Sequence, residues 1–385
     1  MKSPLRYAIA ITAAAAAVVA VLPASASVQP LAEAPAGTYV VPFEYTGSTP
    51  PAGTKNALQG ITGSATAGSY IIVGTSFPNG FVYEGPIDTA TTAQGSGSGT
   101  WTNMNVPASF GGTTTSIYGV DRVDATWVAL VGSYKTAVGA SSFYYKGPIT
   151  STPDDANFTS FVGQHNGKPA DFTILHSVRA GLVVGNLDFA GDKRPAGFAF
   201  VYNPETGVQT PIVYPRRSRS LTHTAYGIWY NGGTSYTIAG GQGLPVPRKG
   251  ARHVTRSLGK ATLIDYDSAT GKFSNFKTFT FPKGLLPTSS SSPLTHFEGI
   301  WGNGAGTYQL PATTTYGKKG AVGAVAVISR IGGATGRFGA PTWSLVSVPG
   351  AKGVTTNNSI FDGASIGVAM VNGAVVPWAY APPAP

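Results

Sequence analysis

No cysteine occurs anywhere in the sequence, which excludes disulfide staples, redox thiols and thiolate-ligated zinc. Charge is scarce too, at 11% of residues, and acidic residues (16) are outnumbered by basic ones (26). Sustained i, i+3, i+4 apolar periodicity is missing beyond the first residues, so helices are not expected. The spacings H-x-x-x-H, H-E-x-x-H, G-x-S-x-G and the EF-hand loop are missing as well, which removes the common zinc, acyl-transfer and calcium motifs. No cofactor-binding motif stands in their place. The Gly-rich stretch Gly95 to Gly99 precedes no helical pattern, so it reads as a hairpin rather than a phosphate loop.

One long apolar run is present. Lys2 and Arg6 precede Ala8 to Leu22, and Pro23 with Ala24-Ser25-Ala26 follows. A charged start, a short apolar stretch and a small-x-small site describe a secretory signal peptide over residues 1–26. The run is shorter than the ~20 apolar residues of a spanning helix, so no transmembrane segment is expected after cleavage. The address is secreted, extracellular or periplasmic. Residues 27–37 read as a flexible mature N-terminus and 38–385 as a single domain. Without disulfides, that domain depends on a large apolar core.

Gly (51) and Pro (29) are abundant, with many Val, Ile, Tyr, Phe and Thr, a composition of short strands and tight turns. A phrase recurs within it. Ala225-Tyr226-Gly227-Ile228-Trp229 returns as Phe297-Glu298-Gly299-Ile300-Trp301, and weaker copies place the small residue at 60, 119, 177 and 363. Each copy is followed by a second apolar run, such as Ile71 to Gly74 or Val128 to Val131, and then by a Tyr-rich third run. Phe81-Val82-Tyr83-Glu84-Gly85-Pro86-Ile87 and Phe143-Tyr144-Tyr145-Lys146-Gly147-Pro148-Ile149 are copies of that third run. A fourth run usually ends in Pro, as in Trp101 to Pro107 and Ile212 to Pro215, which suits an outermost strand.

Four antiparallel strands repeated in series predict an all-β, six-bladed β-propeller. The last copy runs out after its third strand, and Thr38 to Phe43 resembles a missing fourth. The ring is therefore expected to close by pairing the N- and C-terminal strands, which would cover both edges and favour a monomer.

Ser177 to Val208 carries Ala180-Gly181-Leu182-Val183-Val184-Gly185-Asn186, then Gly197-Phe198-Ala199-Phe200-Val201-Tyr202 and Thr206-Gly207. This stretch resembles the bacterial extracellular HAF-type repeats. The resemblance implies a secreted propeller and defines no catalytic residues.

Chemistry is then expected where copies differ. The residue before each small position is Gln59, Tyr118, His176, Tyr226, Glu298 and Asp362. A polar row at one equivalent place suits a wet central channel. Glu298, Asp362 and His176 could act as acid and base on a glycosidic bond or ligate a divalent cation. Alternatively the row only hydrates the channel. His223 and His296 precede two copies of the phrase, where a turn is expected.

Charge is the remaining signal. Ten basic residues lie between Lys193 and Lys260, opposed nearby by Asp192 and Glu205. Arg216, Arg217, Arg219, Arg248, Lys249, Arg252 and Arg256 form the expected anion-binding set. A basic patch fits an acidic polysaccharide, a cell-envelope polymer or an acidic protein partner, and the secretory address argues against nucleic acid. The reading is a non-catalytic binding propeller; its alternative is a carbohydrate-active hydrolase or lyase at the channel mouth.

Overall fold

The computed structural model describes residues 37–47, 56–137, 139–190, 197–214, 222–246, 256–282, 285, 294–316 and 320–383. The expected signal peptide lies outside these residues. Among them there is no α-helix; single-turn 3-10 segments occur at Ala108–Phe110 and Asp155–Asn157.

Strand β1 (Thr38–Val40) begins the described chain. The first antiparallel unit holds β2 (Ala57–Gly63), β3 (Tyr70–Ser76), β4 (Asn79–Gly85) and β7 (Thr100–Asn103), with a small hairpin of β5 (Thr91–Thr92) and β6 (Gly95–Ser96) before its last strand. The second holds β8 (Thr115–Arg122), β9 (Trp127–Lys135), β10 (Ala140–Pro148) and β11 (Phe158–Phe161). A hairpin of β12 (Gln164–His165) and β13 (Lys168–Pro169) leads to the third, β14 (Phe172–Arg179), β15 (Leu182–Asp188), β16 (Phe198–Asn203) and β17 (Val208–Pro211). The fourth has β18 (Thr222–Gly232), β19 (Ser235–Val246), β20 (Arg256–Asp267) and β21 (Lys272–Phe279).

In the fifth unit the first strand is split into β22 (Leu294–Phe297) and β23 (Trp301–Gly302), followed by β24 (Thr307–Thr315), β25 (Ala321–Ile331) and β26 (Arg337–Leu345). Strand β27 (Ala351–Thr355) then leads into β28 (Ser359–Phe361), β29 (Ala364–Val371) and β30 (Ala374–Ala381). Strand β1 pairs antiparallel with β30, Tyr39 opposite Tyr380, and so supplies the fourth strand of this last sheet. In the third unit the outer strand lies a few residues earlier than Ile212 to Pro215, because Val208–Pro211 takes the ladder positions against β16.

Inner strands such as β3, β9 and β29 are buried almost continuously because each sheet buries both faces against neighbours. The apolar clusters accordingly lie between successive sheets. Ile71, Val73, Val128 and Phe143 fill the space between units one and two. Val131, Leu175, Val183 and Phe200 fill the next. Val184, Val201, Ile238 and Ile264 follow, then Leu263, Phe279, Phe297 and Tyr308. The ends of the chain share one such cluster: Val40, Phe43, Leu58, Phe81, Ile366 and Ala379.

Candidate functional site: the two ends of the central channel

The six first strands meet one another. In the first four, the ladder slips between the two residues flanking the variable position, at Leu58/Gly60, Ile117/Gly119, Leu175/Ser177 and Ala225/Gly227. The variable residue is thus the extra residue of a β-bulge, and a bulge re-aims its side chain. The small residue that follows lets neighbouring units approach. A Cβ on Gly60 would come 2.6 Å from the Tyr118 carbonyl oxygen, and one on Gly119 would come 2.6 Å from that of His176. One on Gly227 would meet the Gly299 backbone at 2.7 Å.

The bulged residues line a cavity of about 20 Å³: Gln59, Tyr118, His176, Tyr226, Glu298 and Asn358. We call this side, where the first strands begin, the near end. Five of these six positions carry residues of the expected row. Asp362 does not line it. It sits in the hairpin turn between β28 and β29 with φ +46°, followed by Gly363 at φ +82°. The phrase Phe361-Asp362-Gly363 mimics the repeat, but its small residue serves a left-handed turn. The sixth bulge position belongs to Asn358, and Ser359 is the small residue after it.

The signal that would have found Asn358 lies in the second strand. Gly74, Gly132, Gly185, Gly240 and Gly367 each pack so close to the first strand or the residues just before it that a Cβ would come within 1.9–2.5 Å of a carbonyl oxygen there. Aligning Ile366-Gly367 with Val73-Gly74 places Asn357-Asn358-Ser359 where Leu58-Gln59-Gly60 stands. Asn357 replaces the usual apolar residue and donates its amide to the Ala324 carbonyl at 3.1 Å. The Asn358 amide donates to the Leu58 carbonyl at 2.7 Å, tying the last unit to the first.

Rings run around the near end. Tyr118 lies 5.3 Å from His176, His176 meets Tyr226 edge-on at 4.6 Å, and Tyr226 stacks 6.1 Å from His296. Burial holds the His176 imidazole neutral, its pKa lowered to about 3. Burial, reinforced by the Glu298 carboxylate, raises the Tyr226 phenol. Glu298 has His296 Nδ1 3.6 Å from its carboxylate. His223 and His296 lie in strands, not turns. His223 stacks on Tyr214 at 3.5 Å, and its buried Nδ1 finds no partner.

A second cavity of about 50 Å³ continues past the bulges and is narrowed by Ile61, Val120, Val178, Ile228, Ile300 and Ile360, one from each first strand. At its far end Trp229, Trp301 and Phe361 form an aromatic arc with centroid steps of 6.1 and 6.4 Å. The Arg179 guanidinium lies 4.2 Å over Trp229 and donates to Asp121 at 2.8 Å. Sequence reasoning did not single out this mouth.

These volumes decide the chemistry. A buried water needs about 10–15 Å³, whereas ligand pockets span about 300–1,000 Å³. Among the described residues these two cavities therefore take single waters or ions and no sugar ring. The structure brings His176 and Glu298 to one cavity and leaves Asp362 outside it, so no pair of carboxylates flanks a substrate-sized space. Among the described residues no group of three His, Cys, Asp or Glu side chains could hold a metal. Of the expected anion-binding set, Arg216, Arg217, Arg219, Arg248, Lys249 and Arg252 lie outside the described residues. Arg256 is described only through its backbone, opposite Val246 at the near end of the β19–β20 ladder.

No family model and no curated protein matches the chain, so the HAF-type resemblance rests on the residues of the third unit alone. Solved structures align with the chain over most of its length at low TM-score. An ulvan lyase of polysaccharide lyase family PL25 is 8% identical with a TM-score of 0.42, over 90% of this chain and 84% of that one. A subtype N10 neuraminidase-like protein of A/little yellow-shouldered bat/Guatemala/060/2010 is 12% identical with a TM-score of 0.42, over 90% and 97%. The extracellular domain of a putative hybrid two-component system from B. thetaiotaomicron is 12% identical with a TM-score of 0.37. It is matched over 87% of this chain, which spans 39% of that protein's length. The described residues are all-β.

Proposed function

We propose that the six antiparallel units are the blades of one closed propeller, and that this secreted, monomeric, non-catalytic protein binds an anionic glycan, cell-surface polymer or protein. Closure is supported by three ties between chain ends: the β1–β30 pairing, the shared apolar cluster, and the Asn358 to Leu58 bond. One observation carries the binding reading. The three basic segments fall between strand ends that all lie at the near end of neighbouring units three and four: Ala190 and Gly197, Tyr214 and Thr222, Val246 and Arg256. Gly197 and His223 touch there through a 3.1 Å backbone hydrogen bond. By sequence, these three segments carry eight of the ten basic residues between Lys193 and Lys260. Such clustering favours anions and weakens with salt.

The test is retention on immobilised heparin and polygalacturonate. The parent protein elutes at higher salt than a variant with Arg248, Lys249, Arg252 and Arg256 all changed to Gln. Equal elution of the two sinks the reading. The hydrolase or lyase alternative has no substrate-sized space around Glu298 and His176; sugar release by the parent that Glu298→Gln abolishes would reinstate it.

A further inference from the structure

The far mouth of the channel is divided by chemistry. Two positions after the small residue, units one, two and three carry Thr62, Asp121 and Arg179, whereas units four, five and six carry Trp229, Trp301 and Phe361. Three consecutive units thus give one side of the mouth aromatic rings, all half-buried and all lining the cavity of about 50 Å³. The rings stand at 56° and 71° to one another. Rings so inclined wall a space, whereas parallel stacked rings would fill it. Glycines of the next unit seat two of them. A Cβ on Gly302 would come 2.6 Å from Trp229 Nε1, and one on Gly63 would come 2.8 Å from the Phe361 ring.

Charge around these rings favours a cation. The charged residues lining this cavity are Arg179 and Glu298. Asp121 matches Arg179 at 2.8 Å, so that pair is neutral as a whole. Glu298 then sets the sign of the cavity. It stands three residues before Trp301, about 10 Å along an extended strand, with His296 3.6 Å from its carboxylate. Arg179 also shows what such rings hold. Its guanidinium lies 4.2 Å over Trp229, reaching it from unit three, on the opposite flank from Trp301 of unit five.

We propose that the far mouth binds a trimethylammonium head group, with Trp229, Trp301 and Phe361 as a three-sided aromatic wall. The inference rests on the closed six-unit ring proposed above and not on the basic segments. On a sixfold ring the step between neighbours equals the distance to the axis. Steps of 6.1 and 6.4 Å therefore put the axis about 6 Å from each centroid, within cation–π reach. A quaternary ammonium suits this wall better than a primary amine, because it has no N–H to leave unpaired among aromatic rings and isoleucines. Size agrees with this choice. The head is an ion that enters the cavity, while the rest of the molecule stays outside.

Titration of the full chain with choline chloride at about pH 8, where histidines are neutral, tests this through the tryptophan indole NMR signals. Saturable one-site binding is expected, with none for neopentylcarbinol, the uncharged carbon isostere of choline. Trp301→Met and Phe361→Leu each weaken choline binding about fivefold or more. Phe361→Leu keeps the apolar bulk, so it decides the matter if Trp301→Met does not fold. Phosphatidylcholine vesicles form a second arm: co-sedimentation assigns the head group to a lipid, and choline binding without it assigns a free or polymer-borne ligand. Small-angle scattering reads ring closure separately. A particle too extended for a closed ring overturns that reading and the proposal with it. With a closed particle, three results overturn the proposal alone: no choline binding by the parent, equal binding of the uncharged isostere, or choline binding that Phe361→Leu leaves unchanged.

Discussion

The two ends of the first strands are tied together by different chemistry. At the near end, neutral amides and hydroxyls reach the backbone of a neighbouring unit: Asn358 to Leu58, Asn357 to Ala324, Ser142 to Thr173 and Asn186 to Ala225. At the far end, charged pairs cross between units. Arg179 of unit three holds Asp121 of unit two, and Arg330 of unit five holds Asp265 of unit four. The near end leads into long connections and carries the titratable ring; the far end closes in short turns beneath an aromatic arc. An amide staple is weak but insensitive to salt and pH, whereas a buried ion pair is costly to break from one side. Stability and solvent response should therefore differ by end.

The largest effect is expected at Arg330. Its side chain is 2% exposed, and its two terminal nitrogens donate to the two Asp265 oxygens at 2.6 and 2.9 Å. It also donates to Tyr308 Oη, Thr237 Oγ1 and the Gly336 carbonyl, and it lies 4.4 Å over Phe338. Arg330→Met strands the Asp265 carboxylate, so urea unfolding should show a loss of about 3–5 kcal/mol. Pairing it with Asp265→Leu should recover most of that loss, because an apolar pair removes the stranded charge. A loss below 1 kcal/mol in the single variant would mean that far-end charge pairing contributes nothing special.

The second effect belongs to the near end and appears in pH. Burial lowers His176 to about 3 and His223 to about 4. Both folded values lie below the unfolded value of about 6.5. The unfolded chain thus binds more protons between them, and stability rises with pH across that window. It is complete above pH ~6.5 and is lost as pH falls toward 4, by about 2 kcal/mol or more. Urea midpoints in EDTA, compared between the parent and a His176→Phe/His223→Phe variant, read this as a slope. A parent profile as flat as the variant's would mean the near end is not acid-sensitive.

These two ends were not equally legible. The Gly-Ile-Trp phrase, the alternating runs and the Pro-ended fourth runs disclosed the four-stranded units, because spacing of apolar and small residues is written directly in sequence. Five bulge residues were legible for the same reason. Asp362 was misassigned because Gly363 satisfies the apolar-x-small pattern through a left-handed turn, whereas Asn357 hides the true copy by substituting an amide for an apolar side chain. The far-end network was not legible at all. Arg330 and Asp265 are 65 residues apart, and Arg179 and Asp121 are 58 apart. No local pattern links residues at that distance before the sheets are stacked. Lining was also easier to read than volume: a polar row says which side chains point inward, but the tyrosine and histidine packing that shrinks the channel is a property of all six units together.

A third, smaller effect tests the closure between the last unit and the first. Asn358→Ala deletes the 2.7 Å bond to the Leu58 carbonyl and leaves that buried acceptor without its amide. The expected loss is about 1–2 kcal/mol. Hydrogen exchange should rise in both β2 and β28 if the bond joins them. Faster exchange in β28 alone would mean that the amide only stiffens its own strand.

The smallest effect returns to the far end, at the more exposed ion pair. Arg179 is 26% exposed and Asp121 10%, and the second Asp121 oxygen accepts from the Ala180 backbone at 2.8 Å. Arg179→Met therefore leaves Asp121 one partner and partial access to water, and the loss at neutral pH should be about 1 kcal/mol. Its pH dependence has the opposite sense to that of the histidines. Burial raises the Asp121 carboxyl, and the Arg179 charge opposes that rise. A raised carboxyl contributes stability below its unfolded value of about 3.9 and loses it as pH climbs through the folded value. Removing Arg179 raises the folded value further, so the deficit of the variant should be largest near pH 7 and shrink toward pH 4, where Asp121 is protonated and needs no cation. Urea midpoints at the two pH values give the difference. A deficit that is constant with pH would mean that Arg179 acts through its packing on Trp229, 4.2 Å away, and not through charge.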